Sequence, residues 1–202
     1  RPMAAGSIEN GPVSVIAADT DESRLPDEAP EDYVRRVALD KARMARMRLP
    51  AEDTHPVLAA DTAVVLADRI LGKPRHQEDA ACMMRLLSGR THRVLTAVAL
   101  ILPDHEWTEL SASQVTFRTV HEDDIRRYWL TGEPLDKAGG YAIQGYGAIF
   151  VANLQGSYSG VMGLPLFETA HLLEQAGILL LPTAGAIEFA PTNCQLTEIP
   201  TL

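Results

Sequence analysis

Apolar positions along the chain recur with two different periods, and the change from one to the other marks out the elements. The run "VSVIAA" (Val13–Ala18) is predicted as a short buried strand, followed by the acidic loop "DTDESRLPDEAP". In "EDYVRRVALDKARMARMRL" the apolar residues Val34, Val37, Ala38 and Ala45 fall at helical spacing. Lys41 stands on the same stripe, seven residues after Val34, so it either snorkels out of the core or points into a site. "VLAADTAVVLADRILGKP" (Val57–Pro74) is apolar and β-branched, which predicts strands with a turn near Asp68. Then come a helix, "QEDAACMMRLLSG", with Ala80, Met84 and Leu87 inward and Gly89 closing it, and two strands, "THRVLTAVALIL" and "LSASQVTFRTV". "HEDDIRRYWLTG" reads as a short helix with acidic residues early and Gly132 at its end. "GYGAIFVANLQGS" reads as one or two strands joined near Asn153, and "PLFETAHLLEQAG" as a helix opened by Pro165 and stopped by Gly177. From Pro182 to Leu202 periodicity is lost and an irregular tail is expected.

Alternation of strands with helices gives an α/β class, with a mixed sheet expected because some neighbouring strands look hairpin-connected. With 202 residues and no internal repeat, the chain is expected to form one domain over residues 1–181, followed by the tail at 182–202. Formal net charge is −9, which argues against a duplex-DNA or anionic-membrane surface but leaves room for a small phosphorylated ligand. No apolar run approaches the roughly 20 residues of a membrane span, and the start shows no secretory-signal pattern. Cys82 and Cys194 form no CxxC or Cys/His cluster, so a reducing, cytoplasmic setting is expected, with Cys82 in the core and no structural disulfide.

Five places put polar groups where an element should be apolar or should end: Asp21-Glu22, Lys41, Asp61-Thr62, Lys73, and the stretch "DKAGGYAIQGYG" with Asp136, Lys137 and Gln144. A solvated loop, a snorkelling lysine and a turn lysine would account for the first, second and fourth. Asp61 resists such an account, because an isolated carboxylate in an apolar strand costs several kcal/mol unless it is paired, hydrogen-bonded or metal-bound. Together these carboxylates, lysines and an amide suit a divalent cation (Mg²⁺ or Mn²⁺) and a polyphosphate. Lys137 beside Asp136 would face phosphates, while Gln144, which both donates and accepts, would read a base edge. There is no GxxxxGK[ST] loop, no GxGxxG and no GxSxG. The six histidines show no metal-ligand spacing and are expected at the surface or in caps; Met83-Met84, Trp107 and Trp129 are expected to pack.

The same residues, in order, resemble the Maf family of nucleoside-triphosphate pyrophosphatases. The likeness rests on "DTDES", "VRRVALDKA", "AADTAVVLADRILGKP", "MMRLLSGRTHRVLTAVAL", "YWLTGEPLDKAGGYAIQGYGAIFV" and "GSYSGVMGLPLFE", and covers roughly Val13 to Gly177. It implies an α/β fold of two lobes around an elongated cleft, often dimeric, with metal-dependent hydrolysis of the α–β bond of nucleoside triphosphates. Carried over by position, Asp61 matches the catalytic acid/base, and Thr62 and Gln144 match positions linked to substrate choice. Glu22, Lys41, Lys73 and Lys137 match residues lining the phosphate end, Glu22 and Asp61 being the expected metal ligands. "DKAGGYAIQG" resembles the branch acting on dTTP and UTP; the branch acting on 7-methyl-GTP usually lacks the Lys and Gln. House-cleaning of modified nucleotides and an effect on cell division are implied by the resemblance alone.

One departure stands out. Family members begin with a strand and a Ser-x-Ser-Pro-Arg-Arg type loop, which would supply backbone N–H groups and arginine to phosphates, whereas this sequence opens "RPMAAGSIENGPVSV". The expectation is therefore either a truncated form or an impaired member. The rival to an enzyme is a nucleotide-binding regulatory protein linked to cell division, which kept the base pocket and lost the phosphate loop. A weaker rival is a phosphotransferase using Asp61 covalently, disfavoured because "AADTAVV" lacks a DxD.

Overall fold

The computed structural model describes residues 14–181. The first helix, α1 (Pro30–Met47), opens with a proline and carries Glu31 and Asp32 in its first turn and Arg46 in its last, each charge complementing the helix dipole. Its buried stripe is Val34, Val37, Ala38, Ala42 and Ala45, small enough for the helix to lie close against a sheet. Next come β1 (Val57–Leu66), β2 (Arg69–Leu71), α2 (Gln77–Leu87), β3 (Thr91–Leu102) and β4 (His105–Phe117). After these the chain forms α3 (Glu122–Trp129), 3-10 turns at Glu133–Asp136, Ala138–Gly140 and Tyr146–Phe150, β5 (Val151–Gln155), α4 (Tyr158–Met162) and α5 (Leu166–Gln175).

The strands form one five-stranded sheet in the order β2-β1-β3-β4-β5. The α/β class is as expected, but every pairing among the described residues is antiparallel, so the parallel part of a mixed sheet is not found. β3 lies at the centre and is buried almost throughout. Its Leu95, Ala97, Ala99 and Ile101 pack with α1 on one face. On the opposite face Val94 joins α2, α3 and the loop residues Tyr141 and Ile143, while Val98 and Leu100 pack with Leu172 of α5. The apolar core is thus divided into separate clusters on the two faces of the one sheet. β2 pairs only with Val64–Leu66, so the outer edge of β1 from Val57 to Ala63 has no strand partner among the described residues.

Four local expectations are corrected. Residues 14–18 of the expected strand Val13–Ala18 have no regular structure, and Val15 is exposed; no described strand offers them a ladder, and an apolar run without one has nothing to pair with. Cys82 is exposed, because α2 turns Ala80, Ala81, Met84 and Leu87 inward and leaves position 82 outside that stripe. His92 is neither a surface nor a capping residue: it sits on β3 at 2% exposure, edge-on to Phe117 and Tyr141. Only Val151–Gln155 of "GYGAIFVANLQGS" is strand, since Tyr146–Phe150 coils into a 3-10 turn. Residues 1–13 of the opening segment that departs from the family pattern, the expected tail at 182–202 and Cys194 lie outside the described residues.

Candidate active site

The unpaired edge of β1 borders a cavity of about 520 Å³, within the range of small-molecule sites. Successive residues Ala60 to Val64 line it, so it reaches both faces of the strand around that edge. Asp61 shares the α1 face with Val57, Ala63 and Val65, where alternation would place an apolar side chain. Lys41 of α1 meets it there: its Nζ donates to Asp61 Oδ1 at 2.7 Å and lies 2.7 Å from Glu22 Oε1. The lysine on the apolar stripe therefore points into the site, held between two carboxylates.

Burial pushes the Asp61 carboxyl up; the hydrogen bond and charge of Lys41 pull it down without overcoming that effect, and Glu22 adds to the rise. For Lys41, burial opposes the charge, but hydrogen bonds to Asp61 and Glu22 outweigh it and the ammonium titrates above its ordinary value. The pair is a protonated lysine beside a carboxylate poised nearer neutrality, which suits a general base. Asp61 Oδ1 is taken by Lys41, and Oδ2 has no protein partner among the described residues. Asp21, by contrast, accepts from the Ser23 N–H at 2.9 Å and does not line the cavity.

The other wall comes from loops. Lys73, Asp136, Lys137 and Gln144 all line the cavity, so the structure gathers every residue singled out at the phosphate and base ends. Lys137 pairs with Asp136 at 2.8 Å, and that hydrogen bond holds the Asp136 carboxyl below its usual range. Gly139 permits this wall to sit close: at φ +68° its backbone lies so near Val64 of β1 that an added Cβ would be 2.9 Å from Val64 Cγ1. Thr62, on the face opposite Asp61, has its Oγ1 2.9 Å from Thr96 Oγ1.

Sequence reasoning missed several contributors. Tyr33 lines the cavity, and its hydroxyl donates to the Glu22 carbonyl at 3.0 Å, tethering the Glu22 loop to α1. It precedes Lys41 by eight residues, just over two turns, and that spacing was a usable signal. Glu133 anchors the Gln144 loop: its Oε1 accepts from Tyr128 Oη at 2.7 Å and the Gly147 N–H at 2.9 Å, and its Oε2 from the Tyr146 N–H at 2.8 Å. The Tyr128 hydroxyl in turn accepts from the Ala142 N–H at 3.1 Å. Both glycines of "QGYG" serve this anchor, since a Cβ at Gly145 would stand 2.1 Å from Glu133 Oε2 and one at Gly147 2.8 Å from Tyr128 Oη. Tyr141, Val161 and Met162 complete the apolar lining, without any sequence signal.

Among the described residues no cluster of three or more His, Cys, Asp or Glu side chains has an arrangement suited to a metal. Glu22 and Asp61 are nonetheless hard-oxygen donors on one wall of the cavity, and Lys41 engages one oxygen of each, leaving the other oxygen of each carboxylate open. That fits a Mg²⁺-type ion, which commonly takes one or two carboxylates and completes its shell with phosphate and water.

Comparison with known proteins places this geometry in context. The family model described as Maf-like protein matches residues 6–176. A dTTP/UTP pyrophosphatase of Alkalilimnicola ehrlichii is 57% identical over 158 residues, covering 77% of this chain and 78% of that protein. One from Methylococcus capsulatus is 53% identical over 167 residues (83% and 82%), and one from Aromatoleum aromaticum 52% over 162 residues (79% and 79%).

Proposed function

The chain belongs to the Maf-like family, and from that premise we propose that it is an enzyme hydrolysing a pyrimidine nucleoside triphosphate, of the dTTP and UTP type, to the monophosphate and pyrophosphate. The observation that carries this reading is the Asp61–Lys41–Glu22 group at the edge of a cavity whose far wall brings Lys73, Lys137 and Gln144. The relatives' names, dTTP/UTP pyrophosphatase, support the substrate class.

In this mechanism Asp61 takes a proton from water through the oxygen that Lys41 leaves free. The water oxygen attacks the α-phosphorus, the bond from that phosphorus to the bridging oxygen breaks, and pyrophosphate leaves. Lys41 fixes the orientation of the base, while Lys73 and Lys137 offset the charge that builds on the leaving group. Asp136 holds the Lys137 ammonium toward the cavity, and Gln144 with Thr62 reads the base. Glu22 and Asp61 would hold the divalent cation, which supplies charge neutralisation to the phosphates when bound. The same reading includes a cytoplasmic enzyme acting as a homodimer, which sedimentation of the purified protein tests. Among the described residues no helix is long and apolar enough to cross a membrane.

A non-catalytic regulatory protein is not favoured, because the relatives at 52–57% identity are named pyrophosphatases and the Asp61–Lys41–Glu22 group lines the cavity together with Lys73 and Lys137. A panel of nucleoside triphosphates, assayed for pyrophosphate with Mg²⁺ and with chelator, decides the matter. Metal-dependent release greatest for dTTP and UTP is the expected result. Binding without release from any nucleotide would return the regulatory reading.

A further inference from the structure

Thr96 is the one hydroxyl-bearing residue in the apolar stretch Val94–Leu102 of the central strand, and it is completely buried. In the antiparallel register of β1 and β3 it stands directly opposite Thr62. Its Oγ1 makes two contacts: 2.7 Å to the carbonyl oxygen of Gly160, in α4, and 2.9 Å to Thr62 Oγ1. A carbonyl oxygen can only accept, and a threonine hydroxyl has a single proton to donate. The proton between Thr96 and Gly160 therefore belongs to Thr96. It follows that the proton between the two threonines belongs to Thr62. Thr62, which lines the cavity, has spent its donor inward and has only lone pairs left to offer a ligand.

We propose that Thr96 is a specificity-determining positioning residue, which by engaging the Thr62 hydroxyl proton makes Thr62 an acceptor for a ring N–H of the bound base. This rests on the reading above, that the cavity takes a pyrimidine nucleoside triphosphate. Uracil and thymine carry an N–H at ring position 3, between two carbonyls, whereas cytosine has a bare lone pair there. An acceptor-only Thr62 pairs with the first and repels the second, while the amide of Gln144 can donate to a neighbouring carbonyl. The placement is firm because α4 is packed tightly: a Cβ at Gly160 would meet Ser111 Oγ at 3.0 Å, so the carbonyl that fixes Thr96 has little freedom to move.

The test compares kcat/KM for UTP and CTP in Thr96→Val, Thr96→Ser and Thr62→Val, with thermal melting of each. In Thr96→Val the Thr62 hydroxyl is released to turn its proton outward, and the UTP:CTP ratio is expected to fall about tenfold, the worth of one hydrogen bond. Thr96→Ser keeps the relay and is expected to keep the ratio. In Thr62→Val the ratio falls as well, and adding Thr96→Val to it changes the ratio no further, because Thr96 acts only through Thr62. Should Thr96→Val not fold, Thr96→Ala removes the same hydroxyl without adding a methyl group and is read in the same way. Thr96→Val (or Thr96→Ala) slowing both nucleotides equally, with an unchanged ratio, overturns the inference while leaving the pyrophosphatase reading intact. An unmodified protein that releases pyrophosphate from no nucleotide removes the reading itself, and the inference with it.

Discussion

At the scale of the residue, the site turns on one strand carboxylate and the lysine that faces it. Asp61 is 9% exposed and would be a costly unpaired charge without Lys41 2.7 Å away. Asp61→Asn keeps the shape and removes the proposed base, so kcat is expected to drop about 10²- to 10⁴-fold with the far-ultraviolet circular dichroism unchanged. A variant with normal kcat would show that another group takes the proton. The pH profile adds a second check. In the proposed mechanism Asp61 must be ionised to act, and burial raises its pKa, so activity should rise with pH along a limb displaced above the usual aspartate range. Lys41 opposes that rise, and Lys41→Met is therefore expected to move the limb to still higher pH. Movement toward acid would mean that the pair is coupled in the opposite sense.

At the scale of the element, β3 carries a buried histidine that the reaction does not use. His92 Nε2 lies 2.8 Å from Tyr141 Oη, Nδ1 has no partner among the described residues, and burial depresses the imidazole to about 4. The unfolded chain takes up a proton near pH 6.5, before the folded one does. Stability is therefore fully present above 6.5 and lost as pH falls toward 4, by a total on the order of 3 kcal/mol. Urea melts at neutral and mildly acidic pH should show that dependence shrinking in His92→Phe; an identical dependence in the variant would assign acid lability to other groups.

The loop element bearing Gln144 depends on Glu133, whose two oxygens take three donors. Glu133→Gln puts an amide N–H₂ against one of those donors. It is expected to raise the KM for dTTP several-fold, roughly the effect of one lost charged hydrogen bond, while leaving kcat nearly as it was. An unchanged KM would show that the loop holds itself. This hub was not legible in the sequence, where "GEP" reads as a turn and gives no hint that its carboxylate serves backbone amides 13 and 14 residues later.

At the scale of the whole molecule, an acidic chain of net charge −9 gathers Lys41, Lys73 and Lys137 along one cleft. Local charge there opposes the global balance, which is how a protein unsuited to duplex DNA can hold a triphosphate. Lys73 and Lys137 arrive on separate loops, one after β2 and one between 3-10 turns. Replacing either by Met should lower kcat/KM about 10²-fold, and because both act on one leaving group, pyrophosphate release from the double variant should fall by less than the product of the two losses. If one of them proves silent, its ammonium does not reach the leaving group.

By itself the sequence determined the periodic elements: α1, α2, α3 and α5, the β1–β2 hairpin and the central strand, each of which depends on local spacing and capping. It also named the polar residues of the cavity, because a charge or amide in an apolar setting stands out along the chain. Tertiary structure alone decided the rest. Whether Lys41 snorkels or pairs depends on what β1 brings opposite it, and the fate of residues 14–18 depends on whether a neighbouring strand offers a ladder. His92 went inward because the register of β3 aims it at Phe117 and Tyr141, not because of its own chemistry. The direction of the Thr62 proton is set by a carbonyl 98 residues away in sequence, brought near by packing. Spacing along a chain encodes which face a side chain takes; only folding supplies the partner that gives that face its charge, its proton and its use.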